Sequence, residues 1–66
     1  MKINKIKLEI AMSEKYLNFM KLSKVSGVSR TTLSYINNGK SCRPDVAGKI
    51  AKALEVAVED LIDKEA

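Results

Sequence analysis

Four residues, Ser26-Gly27-Val28-Ser29, constrain this chain most, because they stop one helix and start another with almost nothing between. Gly27 stands where a helix commonly ends in a left-handed residue, a conformation that costs glycine little because it has no Cβ. Two positions on, Ser29 carries the short hydroxyl that caps a new helix by accepting from the amide of Thr31 or Thr32. At 66 residues the chain has room for one domain, expected to span residues 1–66.

Apolar spacing fills in the rest. Ile3, Ile6, Ile10 and Leu17 recur near helical spacing, with Leu8, Ala11 and Met12 widening the stripe, which predicts a first helix over about 4–15. Ile6, Leu8 and Ile10 also alternate as a strand would, so its start is open. Asn18 is a candidate N-cap for a second helix to about Val25, with Leu22, Ser23 and Ser26 on one face and Val25 at the margin. A third helix runs from Ser29 to about Asn38, where Gly39 stops it. The polar stretch from Asn37 to Pro44 is a loop. Asp45 then begins a fourth helix on Val46, Ile50, Ala51 and Leu54, and Val58, Leu61 and Ile62 suggest a short fifth before a frayed end. The expected fold is all-α, a compact five-helix bundle.

A core this small is marginal unless a metal, a disulfide, a partner or well-fitted helices support it. With no His and one Cys, metal and intrachain disulfide are not expected, and Cys42 reads as a reduced thiol in a cytoplasmic protein. No apolar run has the length of a membrane span, and Met1 begins no charged-then-apolar leader. Ser, Lys and the acids show no catalytic spacing, so no enzyme activity and no cofactor is expected.

Charge is unevenly spread. In residues 1–44, nine Lys and Arg against Glu9 and Glu14 leave +7; in residues 45–66, three Lys against six acids leave −3. A basic two-thirds with an acidic tail suits a polyanion on one face, although ordinary charge scatter accounts for it equally well.

On a wheel of about 100° per residue, the third helix turns Thr32, Leu33 and Ile36 to one side and Arg30, Thr31, Ser34, Tyr35 and Asn38 to the other. The second face is almost wholly hydrogen-bonding and has no acid. Such a face can approach phosphates, Arg30 can donate two bonds to guanine O6 and N7, and the Thr31 methyl can meet a thymine methyl. A plain solvated face would look similar; the Gly27 turn, the short preceding helix and the basic loop that follows favour the binding reading.

The run Leu22-Ser23-Lys24-Val25-Ser26-Gly27-Val28-Ser29-Arg30-Thr31-Thr32-Leu33-Ser34-Tyr35-Ile36-Asn37-Asn38-Gly39-Lys40 resembles the Cro/CI-type (XRE-type) helix-turn-helix of phage repressors and related regulators. The likeness continues through Arg43-Pro44, Ala47 to Leu54, and Val58 to Ile62, covering about Leu8 to Asp63. It implies a lambda-repressor-like domain of five helices, a helix-turn-helix at about 18–38, and a third helix that enters the major groove of double-stranded DNA. The base-reading positions fall on Ser29, Arg30, Thr31 and Tyr35, with Ser34 close by. The phosphate-contacting positions fall on Asn18, Asn38, Lys40 and Arg43. It also implies a transcriptional regulator, most simply a repressor, acting as a homodimer on an inverted-repeat operator. The competing expectation is an antitoxin-like or protein-docking module that binds a partner protein.

Several positions depart from the family pattern. Phe19 replaces a Gln that reaches toward DNA and is assigned to packing. Met12 and Asn37 replace an Arg and Glu that pair in many members; both charges are absent together, so no buried ion is stranded. Tyr16 and Glu55 stand where Gly is usual: Tyr16 is assigned to packing, and Glu55 either adopts a left-handed conformation or ends its helix differently. Ala57 replaces a polar cap, which suggests a loosely held last helix. Val58, Leu61 and Ile62 are the candidate dimer surface, with closure of the monomer's own core as the stronger alternative. Cys42 is assigned to an inert loop thiol rather than a redox switch, and Lys2, Lys5 and Lys7 to a solvated end rather than an arm.

Overall fold

A computed structural model of the chain describes residues 1–63. Helix α1 spans Lys5–Glu14, α2 Phe19–Ser26, α3 Arg30–Asn37 and α4 Pro44–Leu54, followed by a single 3-10 turn over Val58–Asp60. The fold is all-helical as expected, with the fifth helix reduced to that turn. The last three positions of the expected frayed end lie outside the described residues.

Three helix starts carry a side-chain cap, at Asn18 and Ser29 as predicted and at Asn4, which the sequence reading did not single out. The side chains of Asn4, Asn18 and Ser29 accept from the amides of Lys7 (3.0 Å), Lys21 (2.9 Å) and Thr32 (3.2 Å), satisfying donors that the first turn leaves free. Gly27 ends α2 at φ 76°, and its successor Val28 is buried. Helix α4 begins at Pro44, one residue before the expected Asp45, because proline's fixed φ suits the first helical position and its missing N–H costs nothing there.

The core gathers Leu8, Leu22, Leu33, Ile50, Leu54 and Leu61, all fully buried, around α2, which packs on both α3 and α4. Leu22, Ser23 and Ser26 face inward and Val25 faces solvent, and Phe19 packs half-buried against the core. The first helix corrects its expected face. Leu8, Ala11 and Met12 are buried, whereas Ile6 and Ile10 are 66% and 54% exposed. Ile3 lies outside the helix, buried, in an isolated antiparallel bridge to Ile62.

That bridge gives the two ends one structure. The Asn4 amide donates to Leu61 O (2.7 Å), its Nδ2 to Asp63 Oδ1 (2.8 Å), and Lys7 Nζ to Ile62 O (3.0 Å). Ala57 supplies no side-chain cap, but its amide donates to the Asp60 carboxylate at 3.3 Å. The last turn is therefore tied down rather than loosely held. Leu61 is fully buried and closes the monomer core, the stronger of its two expected roles; Val58 and Ile62 pack half-buried beside it.

Two non-glycine residues are left-handed, Tyr16 at φ 55° and Glu55 at φ 58°. Glu55 thus takes the first of its two expected conformations, and its carboxylate accepts from Lys15 Nζ. That hydrogen bond first, and then the Lys15 charge, hold the carboxyl below its usual range. A lowered folded-state value places the pair's small contribution above the ordinary carboxylate range, lost as pH falls through the folded value. Tyr16 corrects the packing assignment: it is 89% exposed and buries nothing. A left-handed conformation costs an L-residue roughly 1–2 kcal/mol, partly offset by the extra entropy glycine loses on folding. Tyr16→Gly is expected to stabilise the fold by about 0.5–1 kcal/mol net, raising Tm by several degrees in a thermal melt.

Candidate nucleic-acid interface

Helix α3 is held from beneath by two side chains, Leu33 and Ile36, both buried. Their spacing turns the other flank outward, and Arg30, Thr31, Ser34, Tyr35 and Asn38 are all exposed. So are Ser29, Asn18, Lys40 and Arg43. Tyr35 is the large apolar member of this surface, 59% exposed. No Asp or Glu occurs anywhere between Lys15 and Pro44, so the surface built from α2, α3 and their loops carries only positive formal charge.

Local bonding divides the roles more finely than the sequence does. The Ser29 hydroxyl accepts from the Thr32 amide and donates to Thr32 Oγ1 at 2.9 Å. Its proton is therefore engaged within the helix, and only acceptor capacity remains for an outside group. Asn18 engages its Oδ1 in the cap of α2, which leaves its amide NH₂ to donate outward. Arg30 occupies the first position of α3, where the helix carries no acid in its first turn. A cation there opposes the helix dipole; a nearby phosphate would reverse that penalty.

Tyr35, Lys40 and Arg43 meet at one cleft of about 520 Å³ between α3 and the start of α4, lined within by Ile36, Cys42 and Val46. The Lys40 amide donates to Tyr35 O (3.0 Å), fixing the loop to the end of α3. Arg43 Nε lies 3.4 Å from Asp45 Oδ1 in an exposed pair, too solvated to hold the guanidinium against a competing phosphate. Among the described residues neither Arg30 nor Lys40 is paired with an acid. Ser41 lines the same cleft and was missed from sequence; its one signal was its place between Lys40 and Arg43.

Burial pushes the Cys42 thiol up, with Asp45 adding to the shift and the terminal ammonium opposing it. The thiol therefore stays protonated at neutral pH, which agrees with an inert role. Met12 is buried as expected. Asn37, half-buried at the end of α3, leaves its Oδ1 buried without a hydrogen-bond partner. No ion is stranded there, but an acceptor is.

Among the described residues no helix is long and apolar enough to cross a membrane. Comparison with curated proteins and with solved structures gives no match. A family model described as the Cro/C1-type HTH DNA-binding domain matches residues 7–66, a span that takes in all four helices except the first two residues of α1. The chain belongs to the family of Cro/C1-type helix-turn-helix DNA-binding domains.

Proposed function

We propose that this protein is a sequence-specific regulator of transcription, a cytoplasmic repressor that binds an inverted repeat in double-stranded DNA as a dimer. The observation that carries the reading is the division of α3: two buried anchors beneath and an acid-free, exposed hydrogen-bonding flank above. In this reading Arg30, Thr31, Ser34 and Tyr35 read base edges, and Ser29 reads them only as an acceptor. Asn18, Asn38, Lys40 and Arg43 hold phosphates and set the register.

Dimeric binding follows from size. One small module buries too little surface for tight operator binding, and two modules on half-sites about one helical turn (~34 Å) apart supply the rest. Selection of bound genomic DNA fragments tests the proposal directly. The expected result is enrichment of a short inverted repeat with half-site centres about one turn, ~10 base pairs, apart. Absence of any enriched sequence overturns it.

A further inference from the structure

The three N-terminal lysines meet different fates. Lys7 Nζ donates to Ile62 O at 3.0 Å and is engaged within the fold. Lys2 and Lys5 are exposed, and among the described residues neither pairs with an acid. Their segment is fixed to the loop between α3 and α4, because the Cys42 amide donates to Met1 O at 2.8 Å. In sequence that bond falls between Lys40 and Arg43, the two loop cations assigned to phosphates. A cleft of about 500 Å³ is lined by Lys2 and Lys5 from the segment and by Asn38 and Gly39 from the end of α3. A neighbouring cleft brings Lys2 together with Ser41. Lys2 therefore adjoins the residues on both sides of Lys40.

We infer that Lys2 and Lys5 contact the DNA backbone and extend the phosphate-binding surface from Asn38 and Lys40 onto the N-terminal segment. Successive phosphates of one strand advance only about 3.4 Å along the duplex axis, so a strand held at Lys40 presents its next phosphates to the adjoining lysines. The carboxylate that lines both clefts, Asp63, accepts from Asn4 Nδ2 at 2.8 Å. Against it stand two lysines here and Lys40 beside them, so the surface stays positive. Lys5 is also the first residue of α1, where a cation opposes the helix dipole and a nearby phosphate reverses that penalty. Such contacts add affinity and fix register but carry no base preference. The inference deepens the DNA-binding reading proposed above and rests on it.

The test measures binding of the full-length protein to its selected operator over a range of salt concentrations. Lys2→Ala and Lys5→Ala are each expected to reduce the salt dependence of log K by about one unit, and the double variant by about two. A rise in salt of about fourfold should then cost wild type about 3.5-fold more affinity than either single variant, and about 12-fold more than the double. Sequence preference and Tm should not change. Lys52→Ala removes the same charge from the last turn of α4, outside this surface, and should leave the slope at its wild-type value. A set of operators, each with one phosphate replaced by an uncharged methylphosphonate, then locates the contacts. One or two positions next to the phosphate held by Lys40 should weaken wild type but not the double variant. If the double variant keeps the wild-type slope and responds alike at every methylphosphonate, the N-terminal segment lies off the DNA while the DNA-binding reading stands. Equal losses of slope for Lys52→Ala would reduce the effect to net charge and overturn the contact as well. Wild-type protein that selects no operator overturns the DNA-binding reading itself.

Discussion

Replacing Arg30 by Ala should weaken operator binding by about 1–3 kcal/mol, between fivefold and somewhat over a hundredfold, and should relax preference at one base pair. The size follows from a bidentate guanidinium–guanine contact, the commonest specific pairing in the major groove. Folding should not confound the result. Arg30 is exposed and occupies a position where a cation opposes the helix dipole, and Ala is the better helix former. The variant should therefore melt no lower than wild type while binding less well. Lys40→Ala provides the contrast: it should reduce the salt dependence of log K by about one unit and weaken all sequences alike. Equal loss on every sequence for Arg30→Ala would make Arg30 a phosphate contact. An unchanged salt slope for Lys40→Ala would place the loop outside the interface.

The difference between α3 and α1 explains what the sequence made legible. Helix α3 has two strong apolar residues, Leu33 and Ile36, three apart, and a polar remainder, so one assignment of faces satisfies the wheel and the structure adopts it. Helix α1 has apolar residues on both flanks. Leu8, Ala11 and Met12 form one stripe and Ile6 with Ile10 another, and counting spacing favours the longer, wrong series that begins at Ile3. Ile3 belongs to no helix. Its burial depends on a bridge to Ile62, a contact across nearly the whole chain that no local pattern encodes. The left-handed Tyr16 was half legible: its place where Gly is usual signals a conformation, as at Glu55, but a large aromatic suggests burial, and the packing assignment followed the side chain. Likewise, the capping role of Asn18 and Ser29 was legible from type and position, whereas the engagement of the Ser29 proton by Thr32 was not.

Leu61→Ala should cost about 2–5 kcal/mol, the usual range for emptying a fully buried leucine site. Total stability for a domain of this size is roughly 3–10 kcal/mol at about 0.05–0.15 kcal/mol per residue, so one side chain supports a large part of it. The cost should fall toward the upper end because Leu61 does two jobs. Its side chain is fully buried in the core beside the last turn, and its carbonyl accepts from Asn4 at 2.7 Å, next to the Ile3–Ile62 bridge. Loosening the side chain therefore loosens the N-terminal segment that starts α1. A thermal melt should show Tm falling by about 10 °C or more, by the same amount at low and high protein concentration, since the lost contacts lie within one chain. A leucine at a dimer contact behaves oppositely, its removal lowering Tm only where the protein is concentrated enough to associate. A concentration-dependent loss would return Leu61 to the interface, and a Tm unchanged at every concentration would mean that the core closes without it.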